Sequence, residues 1–87
     1  MEILTFKNYT KMELNDFIAK FAELFEDTNA AEFTSETYFR ELDEWSSIMA
    51  LSIIAMVSDE YEVTLKGAEL RQANTIGELF EIIKSKG

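Results

Sequence analysis

The stretch Ser46-Ser47-Ile48-Met49-Ala50-Leu51-Ser52-Ile53-Ile54-Ala55-Met56-Val57-Ser58-Asp59-Glu60-Tyr61 contains the most apolar run of the 87-residue chain, Ile48 to Val57, broken only by Ser52. That run is far shorter than the roughly 20 residues a membrane-spanning helix needs. It predicts instead a helix from Ser47 to about Tyr61, with the Ser46 hydroxyl placed to cap it. Its apolar side chains point nearly all the way round, and such a helix must be buried on every side or leave one face for a partner. A bundle of this length cannot enclose it. Spacing assigns Ile53, Val57 and Tyr61, with Ile54, to the core edge and leaves Ile48, Leu51, Ser52 and Ala55 as the outer face.

Upstream, Thr10 and Glu13 have capping-box spacing and Tyr9 and Leu14 the positions of a hydrophobic staple, which predicts a helix beginning at Lys11. Leu14, Phe17, Ile18, Phe21, Leu24 and Phe25 then recur at three- and four-residue intervals, one stripe of a helix ending near Glu26 or Asp27. From Thr28 to Trp45 the helical period lapses, yet Phe33, Tyr38, Phe39, Leu42 and Trp45 are too apolar for a free linker. A long packed loop is expected, with a helical turn near Ser35 to Glu41; loops of this length without structure are usually functional. Downstream, Val63-Thr64-Leu65 reads as extended chain, Gly67 introduces a short helix from Ala68 to Gln72, and Asn74 breaks it. Thr75 and Glu78 repeat the capping-box spacing before a last helix whose apolar face is Ile76, Leu79, Phe80 and Ile83. Lys84 and Lys86 suit its carboxyl end.

Composition narrows the function. With 47% hydrophobic and 13% aromatic residues the chain can bury a core. One domain over residues 1–87 is expected, with residues 1–8 a disordered or loosely packed segment. There is no Cys and no His, which removes the thiol nucleophile, the commonest general base and the usual zinc ligand sets. Eight Lys and Arg against 17 Asp and Glu give a net charge of −9, which repels nucleic acid and anionic membranes and favours basic protein partners. Asp59-Glu60-Tyr61-Glu62 lacks the ligand spacing of an EF-hand. The amino terminus has neither the basic start nor the apolar length of a signal peptide, so a cytoplasmic protein is expected.

In Leu42-Asp43-Glu44-Trp45-Ser46-Ser47-Ile48 a hydroxyl sits at the first turn of a helix directly after a long loop. At this point the sequence resembles the acyl carrier proteins, in which a serine of an Asp-Ser-Leu tripeptide opens the second helix and receives 4′-phosphopantetheine. Ser46-Ser47-Ile48 aligns Ser47 with that serine; Ser46 is the weaker alternative. The likeness continues through Ser58-Asp59-Glu60-Tyr61-Glu62-Val63 and through Thr75-Ile76-Gly77-Glu78-Leu79, similar to the family's Thr-Val-Gly-Asp-Leu start of the fourth helix. The chain departs from the family at Ser46, where an Asp is usual, and at Met49 and Ser52, where acids are common.

The resemblance implies an all-α, four-helix bundle of acyl-carrier type, with a long loop between helices 1 and 2 and a short helix 3. It implies a non-catalytic monomer whose Ser47 bears 4′-phosphopantetheine donated by coenzyme A and carries acyl or aminoacyl thioesters. The expected partners are a phosphopantetheinyl transferase and acyl-processing enzymes with basic docking patches. Asp43, Glu44, Asp59 and Glu60, among six acids and no Lys or Arg between Glu41 and Leu65, would steer those partners. Ile48, Leu51 and Ala55 would anchor them. The same residues also fit a helical adaptor that docks through helix 2 without being modified, whereas a hydrolase using Ser47 lacks any His as base.

Overall fold

The computed structural model describes residues 13–86. Among these are four helices, α1 (Leu14–Glu23), α2 (Ser47–Tyr61), α3 (Gly67–Gln72) and α4 (Ile76–Lys86), with 3-10 turns at Ala30–Glu32 and Phe39–Glu41 between α1 and α2. No strand occurs among the described residues, and the helix order is the one expected.

Helix α1 turns Phe17 and Phe21 fully inward, as its stripe predicts. Glu13 is extended (φ −111°, ψ 128°), so the helix begins at Leu14 rather than Lys11; the Thr10 box and the Tyr9 staple lie outside the described residues. It also ends earlier than the periodicity indicates. The Leu24 and Phe25 amides donate to the Phe21 and Ala22 carbonyls at 3.2 and 3.0 Å, the tighter bonding that closes a last turn. Phe25 leaves the helix but stays buried, stacked on Phe21 with centroids 5.5 Å apart and tilted against Phe33 at 5.2 Å. Its apolar character serves the loop packing, which is why the stripe outruns the helix.

The loop is packed, as expected, but through two turns instead of one. Asn29 Oδ1 accepts the Ala31 amide at 2.8 Å and starts the first turn. Asn is a residue that favours this capping role. In the second turn Phe39 is wholly buried, meeting Phe21 at 5.6 Å and the edge of Trp45 at 5.3 Å. Each such Phe contributes about 1.5–3 kcal/mol by burial, and the ring pairs add roughly 0.5–1.5 kcal/mol. The loop is therefore part of the core.

Helix α2 closes at Glu62, a non-glycine residue in the left-handed region (φ 57°, ψ 36°) whose amide donates to the Ser58 carbonyl at 3.0 Å. A left-handed residue is a common way to end a helix. Val63 and Leu65 are buried and Thr64 exposed, the alternation of an extended connection. Glu69 ties α3 to the end of α4: its carboxylate accepts the Lys66 amide at 2.9 Å and the Lys86 ammonium at 2.8 Å. Helix α4 buries Ile76, Leu79, Phe80 and Ile83, the four residues its pattern selects. Its capping box forms by half. Thr75 Oγ1 accepts the Glu78 amide at 3.1 Å, but the Glu78 carboxylate takes the amide of Asn74 at 2.8 Å instead of that of Thr75. Two further donors at this end are met by the long loop, since the Ile76 and Gly77 amides donate to the Thr37 and Ser35 carbonyls at 3.1 and 2.8 Å.

Candidate functional site

Ser46 is extended (φ −160°, ψ 173°), and its hydroxyl accepts the Met49 amide at 3.2 Å. It therefore caps α2. That task occupies Ser46 and leaves Ser47 as the first helical residue, exposed, with no hydrogen bond to its hydroxyl among the described residues. Among the described residues no group stands ready to take its proton. A hydroxyl so placed suits an acceptor that a separate enzyme must activate, not a self-sufficient nucleophile.

Ser46 and Ser47 line one side of a groove of about 600 Å³ between α2 and α3. Its walls are Trp45, Ala50, Leu51, Ile54 and Leu70, and among the described residues the charged side chains lining it are Arg40 and Arg71. Arg40 comes from the long loop. One of its terminal nitrogens donates to the Leu70 carbonyl at 3.1 Å and to the Ala73 carbonyl, and the other donates to Asn74 Oδ1 at 3.0 Å. It satisfies the end of α3 and closes that side of the groove. Sequence reasoning misses Arg40, because its partners are distant in the chain and no local spacing marks the contact.

Leu51 forms the outer edge of the groove, and beyond it α2 is open. Ile48 and Leu51 are 72% and 65% exposed and Ala55 is exposed with them, while Ile53 and Val57 are fully buried. Ile54 and Tyr61 sit half-buried at the core edge. Ser52, expected on the outer face, is also half-buried and lines a hollow shared with Lys20 and Glu23 of α1. From Trp45 to Ser58 no residue is charged.

The expected acids fall into two groups around that uncharged span. Asp59 and Glu60 are exposed near the carboxyl end of α2, at the far end of the helix from Ser47. Asp43 is exposed on the loop side. Beside it, Glu44 closes the long loop on itself, accepting the Thr28 hydroxyl at 2.6 Å and the Asp27 amide at 3.0 Å. The Thr28 hydroxyl, with the Asp27 amide, holds the Glu44 carboxyl below the usual glutamate range. No cluster of Asp or Glu among the described residues is arranged to hold a metal ion, and no helix among them is long and apolar enough to cross a membrane.

The residues present fit a phosphopantetheine arm: a free hydroxyl at a helix's first turn, beside an open groove whose charges are positive. The family model described as phosphopantetheine attachment site matches residues 15–83, from within α1 through most of α4. No curated protein and no solved structure matches the chain. On the family match the chain belongs to the phosphopantetheine-binding family of acyl carrier proteins, whose domain carries a covalent 4′-phosphopantetheine and is a carrier, not a catalyst.

Proposed function

We propose that Ser47 is the residue that bears the arm, and that the protein delivers acyl or aminoacyl groups held as thioesters to separate cytoplasmic enzymes of fatty acid, polyketide or related synthesis. The observation that carries this reading is the division of labour between the two serines: Ser46 is occupied as the cap, and Ser47 is exposed and unbonded. A phosphodiester at the first turn of α2 lies near the positive end of the helix dipole. The thiol that holds the cargo belongs to the arm, which is how a chain without Cys or His takes part in acyl transfer. The chain's own contribution is to present Ser47, hold α2 in place and offer a surface beside it.

That surface combines Ile48, Leu51 and Ala55 as apolar anchors with Asp43 and Glu44 before the serine and Asp59 and Glu60 at the far end of the helix. Partners that match it present an apolar hollow next to the active-site entrance and basic groups opposite the acids. Because Glu44 is engaged with Thr28 and Asp27, Asp43 is the freer charge at the near end.

Intact mass tests the assignment. Incubated with coenzyme A, Mg²⁺ and a broad-specificity phosphopantetheinyl transferase, the protein should gain one arm, and Ser47→Ala should abolish the gain. Ser46→Asp keeps a capping oxygen and restores the family's acid, so it should still be modified. A gain that survives Ser47→Ala and disappears in Ser46→Asp would move the site to Ser46. No gain with any transferase would favour the unmodified adaptor.

A further inference from the structure

The groove beside Ser47 is a local reversal of charge in a chain of net charge −9. Its two charged lining residues are both arginines, and they differ in one respect. Arg40 has its donors committed to Leu70, Ala73 and Asn74. The Arg71 side chain has no hydrogen bond or ion pair among the described residues. Its guanidinium lies back along α3, with Nη1 3.5 Å from where a Cβ on Gly67 would stand, and it lines the same groove as Ser47. None of the described acids is paired with it. Glu69 is held by Lys86 and the Lys66 amide, Glu44 by Thr28 and Asp27, and the span from Trp45 to Ser58 has no charge at all. Ser46 in place of the family's Asp removes the one acid that would have adjoined Ser47.

We infer that Arg71 is a positioning residue for the arm. Its guanidinium pairs with the phosphodiester on Ser47 and keeps the arm over the α2–α3 groove, away from the exposed face that runs outward from Leu51 to Ile48 and Ala55. A phosphodiester keeps one full negative charge and two unesterified oxygens, and a guanidinium meets two such oxygens with parallel N–H donors. The pairing leaves the apolar face of α2 open for a partner while the arm is docked. It also gives the Ser46 departure a physical reason: an Asp there would draw Arg71 away from the phosphate. The inference rests on Ser47 being the modified residue.

The test compares apo and modified forms of the full chain, with intact mass first establishing that one arm is present on Ser47. At low salt the modified wild type should melt above the apo protein, and high salt should erase that gain. Arg71→Gln should lose the gain and move the phosphodiester ³¹P resonance, while Arg71→Lys should retain part of it. In the wild type, modification should shift the Arg71 Nε–H resonance and leave that of Arg40 unmoved, a readout that needs no variant. A phosphodiester resonance and melting gain indifferent to Arg71→Gln, with an unmoved Arg71 signal, would overturn the inference and leave the carrier reading intact. If no arm attached to Ser47, the carrier assignment would fail at the mass step and this inference with it.

Discussion

Helices α2 and α4 are both rich in large apolar residues and use them differently. In α4, Ile76, Leu79, Phe80 and Ile83 all reach the core, with exposures of 0–5%; in α2, Ile53 and Val57 are at 0% while Ile48 and Leu51 stand at 72% and 65%. The core takes in the apolar face of α4 and only one side of α2. An exposed Ile and Leu close together on a small acidic domain bury little of their apolar surface, and on the proposed reading they are the anchors of the docking face. The starts of the two helices differ as well. Helix α2 is capped by its own Ser46, with the preceding loop clipped by Glu44; α4 borrows the Ser35 and Thr37 carbonyls from that same loop.

The sharpest way to break the comparison is to truncate both sides of α2. Ile53→Ala should cost about 2–5 kcal/mol of unfolding free energy by leaving a cavity in the core. Leu51→Ala should stay within roughly 0.5 kcal/mol, as exposed positions do. Urea titrations of the two variants, read at equal slope, measure the difference. Similar losses in both would mean that the outer face of α2 is part of the folded core after all.

How much of this is legible in the sequence follows the range of each signal. The bounds of α2 and the buried set of α4 are written locally, in a capping serine and in regular spacing, and both emerge where the pattern puts them. The end of α1 departs from its pattern because Phe25 continues the apolar period while serving the loop, and period alone cannot distinguish those uses. Asn29 is a local cap signal for the first 3-10 turn, one that a search for helical periods passes over. Arg40 and the second role of Glu44 have no local signature: one reaches from the loop to α3, and the other joins the two ends of the loop. At the candidate site the exposure of Ile48, Leu51 and Ala55 follows from the excess of apolar surface on α2. The placing of Ser47 and Arg71 on one groove needs α3 brought alongside.

A smaller effect tests the borrowed start of α4. A Cβ on Gly77 would stand 2.9 Å from the Ser35 carbonyl oxygen, closer than an ordinary carbon–oxygen contact, and that oxygen is the acceptor for the Gly77 amide. Gly77→Ala should therefore push the loop off α4 and cost about 1–3 kcal/mol. In hydrogen exchange the amides of Ile76 and Gly77 should lose protection more than those of Ile53 and Val57. Unchanged stability would mean that α4 does not depend on the loop for its start.

The loop clip at the start of α2 should show itself through pH. The Glu44 carboxylate accepts two donors from the opposite end of the loop, chiefly the Thr28 hydroxyl, and its folded pKa is lowered. A group with a depressed folded pKa stabilises the protein above its unfolded value, about 4.3 for Glu, and that stabilisation is lost as pH falls through the lower folded value. Glu69, held down first by the Lys86 ammonium, is shifted in the same direction. The wild-type curve therefore contains both, and Glu44→Gln isolates one. The variant should be less stable than the wild type at neutral pH, and the gap should narrow as pH falls below the unfolded value and close as it passes through the lower folded value, where the wild-type carboxyl gains its proton. Because Glu44 joins the chain two residues before the Ser46 cap, the same substitution should broaden the backbone amide signals of Trp45 and Ser46 and leave those of α4 sharp. The absence of any gap at neutral pH would show that the loop is closed by packing such as that of Phe33 and Phe39 without help from Glu44, and would make the approach to α2 as dependent on apolar burial as α4 itself.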